Sequence, residues 1–350
     1  MQNKRVILKF RPGTDGEPHP QHFGVETCTT PSQIPDGNVL IRNLYLSIDP
    51  ALRCRMNDHT GVHYLSPWAI GECIDGLGGV GVIEESRFEG LSKGDVVCRA
   101  LSWPWQIYFD TQGDTLEKVD VKSLDGDVSL VLSCLGLTGL TALLGLREKG
   151  GIKPGAGQAC VVSAAAGSCG SLAGQIAKLE GCARAVGICG SQEKCKFLLE
   201  TLKFDAAINY KTEDVDKRIQ ETCPNGVQVY FDNVGGSISD SVIRHMTPGS
   251  NVVLCGQISV YNKDVPYPPP VGPGVQEIMD ERHIKRERFL VIRYEEKFQE
   301  SLAQLSEWLK GGKLLVQRTV EKGLENAPKA FISMMNGGNI GKQMVLVSDF

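Results

Sequence analysis

The 350-residue sequence has no CxxC pair and no HExxH motif, and its six histidines are scattered at His19, His22, His59, His63, His245 and His283. A compact thiolate zinc lobe and a zinc-helix hydrolase site are therefore not expected. A condensed basic tract is also missing. With 37 basic against 41 acidic residues and a formal charge of -4, the chain lacks the electrostatic footprint that nucleic-acid phosphates demand. No apolar run approaches the roughly 20 residues needed to span a bilayer, and MQNKRVILKFRPG carries no long apolar stretch of a secretory kind. The expected address is cytoplasmic, without a membrane span. Ser163 and Ser168 stand outside any GxSxG elbow, which removes the usual acyl-enzyme arrangement. The 12 cysteines lie singly, mostly in apolar runs, and read as buried thiols in a reducing compartment.

What the sequence does hold is enough apolar surface for folding: 41% hydrophobic against 22% charged residues. That balance excludes a disordered chain, and the length suggests two domains. RVILKF, VLIRNLYLSID, GVGVIEESRFEG and LSKGDVVCR alternate in short segments broken by glycine, proline and aspartate. This grammar predicts a β-rich, barrel-like module in the first third. From about Asp127 the period lengthens to that of helices, and strand-plus-helix units follow. QACVVSAA, RAVGICG, AAINY, VQVYFDNV and NVVLCG are expected strands of a parallel sheet covered on both faces. FQESLAQLSEWLKGGKL and TVEKGLENAPKAFISMMNGG read as helices, and KQMVLVS as a last strand returning to the first module.

QACVVSAAAGSCGSLAGQIAKLEG sets Gly167 and Gly170 between an apolar strand and an amphipathic helix. A pyrophosphate must approach main-chain N–H groups and the positive helix end, and a Cβ in the turn would push it away. Gly174 then lets the helix lie close to the sheet. The spacing is AxxGxxG from Ala164, so the strand–turn–helix context carries the reading of dinucleotide binding over that of a plain structural turn. After RAVGICG no acidic residue awaits the ribose hydroxyls; Ser191 and Lys194 follow instead. A lysine suits a 2′-phosphate, the alternative being a solvated side chain. Tyr210 and Asn233 close two further strands, where ligands gather in such sheets, and Gly235 and Gly236 permit close passage. A nicotinamide held this way carries hydride to a carbonyl or to a conjugated enone.

LYLSIDPALRCRM, GLTGLTAL, VVSAAAGSCGSLAGQIAK, GICGSQEK, YFDNVGG, LCGQISVYN and NGGNIGKQMV, in that order, resemble the zinc-independent leukotriene B4 dehydrogenase or prostaglandin reductase branch of the medium-chain dehydrogenase/reductase superfamily. The likeness covers nearly the whole chain. It implies an α/β protein with a GroES-like β-rich catalytic domain at 1–126, a Rossmann-type parallel-sheet NADPH-binding domain at 127–298 and a catalytic return at 299–350. It further implies NADPH (NADP+) without a metal, and a lipid enone as partner. The reaction implied is reduction of the 13,14 double bond of 15-keto-prostaglandins, with hydride arriving at the carbon β to the ketone.

By the same resemblance Tyr261 is the catalytic and substrate-facing hydroxyl at the 15-keto oxygen, and Tyr64 a second substrate contact. Gly167, Gly170, Lys194, Tyr210, Asn233 and Asn339 are the cofactor contacts. A phenol suits the catalytic role because one directed donor strengthens as enolate charge develops. Ala51 follows Asp49 and Pro50 where closer relatives carry an aromatic residue, a departure that bears on pocket width. Trp103 and Trp105 are expected to cover the carbon surface of a substrate. The four-proline segment around Val265 is either a stiff pocket wall or only a rigid loop, and KRER either draws a carboxylate or is ordinary surface. The same scaffold also suits a quinone or general alkenal/enone reductase, or a non-catalytic nucleotide-binding protein of structural or regulatory type. Both a monomer and a homodimer are compatible with the sequence.

Overall fold

Residues 2–350 are described in a computed structural model, where the chain forms two units. One comprises the residues up to Ser133 together with Arg318–Phe350, the other Cys134–Gln317. The second unit holds six parallel strands in the spatial order Ala206–Asn209, Arg184–Cys189, Ala159–Ser163, Val227–Asp232, Met246–Leu254 and Lys285–Arg288. This is the doubly wound order, in which the chain reverses direction across the sheet between Ala159–Ser163 and Val227–Asp232.

The central strands read as continuous apolar runs because both their faces are covered. Cys160 and Val162 face the layer of Leu172, Ile176 and Leu143, while Val161 faces that of Ile219, Val242 and Ile243. Alternation of side chains every second residue serves two cores at once.

The sixth strand escaped the sequence pattern. Lys285–Arg288 is KRER, an edge strand with no apolar face, and charge on an edge discourages further strand addition. Its arginines hold protein groups: Arg286 donates to the Pro269 carbonyl at 3.2 Å, and the Arg288 guanidinium lies 4.4 Å over the Tyr267 ring. The tract is thus a brace for the proline loop.

In the first unit a seven-stranded sheet runs Arg318–Lys322, Lys342–Leu346, Asn38–Ser47, Asp75–Ser86, Val96–Pro104 and Glu117–Lys118, with Tyr108–Gln112 also pairing to Asn38–Ser47. The final strand returns as expected, antiparallel to Asn38–Ser47 with Val345 opposite Leu46. Thr319 and Val320, expected in a helix, lie in the strand Arg318–Lys322; Gly323, at φ +86°, breaks the chain before the helix Ala327–Met335. β-Branched residues favour the pleated surface there.

Trp103 and Trp105 correct another expectation. Both are fully buried in the core of the first unit. Gly79 is what admits Trp103, since a Cβ there would collide with the indole ring. The Trp103 indole N–H donates to the Asn43 side-chain oxygen at 3.1 Å. These rings fill a core and are unavailable as a substrate wall.

The unit boundaries also differ from 126/127 and 298/299. Arg318 donates to the Asp127 carboxylate at 2.5 Å, tying the segment before Ser133 to the first unit. The helix Phe298–Lys310 places Leu305 and Trp308 in the same core as Leu172 and Ile176. It therefore belongs to the second unit, and the first unit resumes at Arg318. No helix among the described residues is long and apolar enough to cross a membrane.

Candidate functional site

The glycine turn joins Ala159–Ser163 to the helix Ser168–Leu179. Ala164 occupies the left-handed region at φ +47°, a conformation that disfavours a Cβ but tolerates alanine better than larger residues. The Gly167 N–H closes the turn on the Ala164 carbonyl at 2.9 Å. A Cβ on Gly170 would strike that same carbonyl and come within 2.9 Å of Ala165 Cα, whereas one on Gly167 would meet the carbonyl at 3.1 Å. Gly174 is equally constrained, because the Phe204 ring fills the place of its side chain.

At the head of this helix the Ser168 hydroxyl oxygen is buried without a hydrogen-bond partner. An orphaned polar atom beside unsatisfied N–H groups and the positive helix end fits a bound pyrophosphate. The residues present thus suit a dinucleotide.

A second turn leaves the neighbouring strand at Cys189. Ser191 caps the helix Gln192–Lys196, its hydroxyl oxygen accepting the Lys194 N–H at 3.2 Å. The Tyr210 ring lies against Gly190, where a Cβ would come within 2.9 Å of it. The Tyr210 ring and the Ser191 cap, which holds the Lys194 backbone N–H, therefore flank one glycine. Burial pushes the Lys194 ammonium below the ordinary lysine range, and the nearby Lys211 charge adds to that direction. An anion at this turn relieves both effects.

The third turn follows Val227–Asp232. Asp232 is fully buried and accepts through Oδ1 from Tyr230 at 2.9 Å, Ser163 at 3.2 Å and the N–H groups of Val234 and Gly235 at 3.0 and 2.9 Å. Its Oδ2 accepts from Ser239 at 2.7 Å. Asn233 donates its side-chain amide to the Ser163 carbonyl at 2.8 Å, and its backbone N–H to the Ser163 hydroxyl at 2.9 Å. The carboxylate thereby fastens two adjacent strand ends, those carrying the glycine turn and Asn233.

Over this turn folds the segment Gly256–Tyr261. Ile258 and Ser259 donate backbone N–H groups to the Asn233 and Val234 carbonyls. The Tyr261 hydroxyl oxygen accepts the Gln257 N–H at 3.3 Å. Gln257 is fully buried with both amide atoms unpartnered, and a Cβ on Gly235 would touch that amide at 3.0 Å. No motif in the sequence singled out Gln257 or Asp232; their importance comes from burial and from the partners around them.

Tyr64 and Asn339 belong to the first unit. Tyr64 is exposed in the loop pinned by Thr60, whose hydroxyl donates within hydrogen-bond distance of the Val62 and Leu65 carbonyls. Asn339 is buried and donates to the Gly341 carbonyl at 2.7 Å, three residues before Lys342 forms an ion pair with Asp49. This unit also contains a feature unreadable from sequence: Leu101 and Ser102 are consecutive non-glycine residues with φ of +69° and +51°. Arg99 holds both carbonyls of that strained pair. Such strain collects where function needs a fixed shape.

Among the described residues, no group of three or more histidines, cysteines, aspartates or glutamates could hold a metal ion.

Two family models match the chain: the N-terminal domain of oxidoreductase over residues 4–119, and zinc-binding dehydrogenase over residues 169–307. The chain is 36% identical to an NADP(+)-dependent 2-alkenal reductase of Nicotiana tabacum, over 99% of this chain and 98% of that protein. It is 36% identical to prostaglandin reductase 1 of Mus musculus, over 95% of each. The crystal structure of CurA from Vibrio vulnificus in complex with NADPH superposes with a TM-score of 0.86 at 34% identity, covering 99% of this chain and 100% of that one.

Proposed function

The chain belongs to the medium-chain dehydrogenase/reductase superfamily, among its zinc-independent NADPH-dependent oxidoreductases, and from that premise we propose that it reduces the double bond of conjugated enones. NADPH supplies a hydride, and the three turns of the second unit hold it. Gly167 and Gly170 admit the pyrophosphate, while Lys194, Ser191 and Tyr210 take the 2′-phosphate end. Asn233 lies toward the nicotinamide end, and Asn339 is a further cofactor contact by resemblance alone. The observation that carries this reading is the orphaned Ser168 hydroxyl at the head of a helix whose turn has no room for a Cβ at Gly170.

For the substrate half, Tyr261 donates its hydroxyl proton in a hydrogen bond to the carbonyl oxygen. Reduction at the β carbon leaves charge on that oxygen, and a neutral donor stabilises charge that grows in the transition state more than the starting ketone. Tyr64 is a second polar contact for the substrate. Tyr261→Phe is expected to lower kcat about tenfold to a hundredfold, with NADPH affinity unchanged by fluorescence titration. Full turnover in the phenylalanine variant would remove Tyr261 from the role.

The finer proposal is that the enone is a 15-keto-prostaglandin, reduced at its 13,14 bond, as in prostaglandin reductase 2. SWPWQ, YNKDVPYPPP and NIGKQ support it by resemblance, and the prostaglandin reductase relative is in keeping with it. A general alkenal, enone or quinone reductase is the broader reading, favoured by the similarity to the 2-alkenal reductase. The discriminating measurement is kcat/KM for a 15-keto-prostaglandin, a simple alkenal and a quinone under one set of conditions. A preference for the prostaglandin supports the finer proposal, and a wide preference for either of the others reverses it. Cofactor binding with no turnover on any of the three would favour the non-catalytic alternative.

Lys194→Ala is expected to weaken NADPH binding by at least about tenfold and leave NADH binding unchanged, because the ammonium meets only the 2′-phosphate. In the parent protein the protonated lysine is the form that binds. Its downward shift means that NADPH preference fades as pH rises toward, and before reaching, the ordinary lysine value of about 10.4. Equal affinity loss for both cofactors would refute this assignment.

A further inference from the structure

Two thiols bracket the turn that carries Ser191 and Lys194. Cys189 ends the strand Arg184–Cys189, and Cys195 lies in the helix Gln192–Lys196. Their sulfur atoms are 3.5 Å apart, both side chains nearly fully buried. The residues between them are Gly190, Ser191, Gln192, Glu193 and Lys194, so the pair spans the whole turn.

We propose that Cys189 and Cys195 are a disulfide-forming site, oxidised by hydroperoxides, and that the bond weakens NADPH binding by displacing Ser191 and Lys194. The inference rests on the assignment of Lys194 to the 2′-phosphate. A disulfide requires a sulfur separation of about 2.05 Å, so the two sulfurs must close by roughly 1.5 Å. The Ser191 cap and the Lys194 stem lie within that span.

Burial pushes the Cys189 thiol up to about 12. It raises Cys195 as well, with the hydrogen bond between the two sulfurs opposing the shift there, and Cys195 is proposed as the attacking sulfur. Its thiolate attacks one peroxide oxygen; the O–O bond breaks, and the departing oxygen leaves as water or as an alcohol. Cys189 then displaces the hydroxyl from the resulting sulfenic sulfur, releasing water. Two electrons and both thiol protons pass to the peroxide. Since the thiolate is the nucleophile, the reaction accelerates with rising pH. It is slowed by bound NADPH, whose 2′-phosphate would hold Ser191 and Lys194 in place.

The test is to treat the full chain with hydrogen peroxide, with and without saturating NADPH, and to map the tryptic peptides without reduction. Cleavage after Arg184, Lys194 and Lys196 leaves the two cysteines on separate fragments, so the link is read directly by mass. The expected result is a Cys189–Cys195 link that NADPH suppresses, with a loss of NADPH affinity of about tenfold that dithiothreitol restores and that Cys195→Ala does not show. Absence of the link, an unchanged affinity in the linked protein, or the same affinity loss in Cys195→Ala would overturn the proposal. Lys194→Ala, titrated with NADPH and NADH in the absence of peroxide, tests the phosphate assignment separately. Failure there leaves the link by mass as its own result.

Discussion

Asp232→Ala is expected to destabilise the second unit by about 3–5 kcal/mol and to lower NADPH affinity by at least tenfold. The alanine leaves three hydroxyls and two backbone N–H groups facing a buried void where one carboxylate had accepted all five. Each abandoned donor keeps its desolvation penalty without the compensating bond. Because the lost acceptor joins the strand that feeds the glycine turn to the strand that feeds Asn233, the two cofactor turns lose their common register. Asp232→Asn keeps one oxygen for the Oδ1 donors and lets the Ser239 hydroxyl rotate to accept, so its loss is expected to be about 1 kcal/mol. Urea unfolding together with fluorescence titration of NADPH checks both variants. Equal effects from alanine and asparagine would show that geometry of acceptance is not what the residue contributes.

Gly170→Ala is expected to weaken NADPH binding about a hundredfold, and Gly167→Ala far less. The added methyl at Gly170 meets two backbone groups, the Ala164 carbonyl and Ala165 Cα, neither of which can rotate aside. Relief therefore comes from moving the turn away from the helix and withdrawing its N–H groups from the pyrophosphate. At Gly167 the single neighbour lies at 3.1 Å and need yield only a few tenths of an ångström. Calorimetric titration of both variants distinguishes them, and a larger effect at Gly167 would contradict the close passage described for Gly170.

These two residues were not equally visible beforehand. Gly170 stands in a turn whose flanking strand and helix have unmistakable periods, and such local grammar is available to any reader of the chain. Asp232 sits in a strand next to Asn233 and has no period of its own; only folding brings Tyr230, Ser163 and Ser239 around it. The same distinction runs through the rest of the molecule. The five apolar strands of the second unit are legible because each buries two faces, whereas KRER buries neither and has only its edge position to make it a strand.

Trp103 and Trp105 misled in the opposite direction. As large apolar rings they are expected to cover a substrate's carbon surface, but Gly79 makes room for Trp103 inside the core. Thr319 and Val320 were drawn into a helix by the periodic segment that follows them, and Gly323 is the break that separates the two. Lys194 and Tyr210 follow two different strands and share only the carboxyl-edge rule for parallel sheets; the structure sets the Tyr210 ring against Gly190 and the Lys194 N–H on the Ser191 cap. Tyr64 and Asn339 had no such physical rule behind them and rested on resemblance alone.

The last strand of the chain, Lys342–Leu346, sits inside the first sheet, flanked by Arg318–Lys322 and Asn38–Ser47. During synthesis the early strands of that sheet must wait, with one side unzipped, until residues 342–346 have left the ribosome. The inserted unit has all of its own strands far sooner and can consolidate first. A premature stop before Lys342 would therefore spare the nucleotide-type unit and strand the other with an open seam, a nascent product inclined to pair with its neighbours.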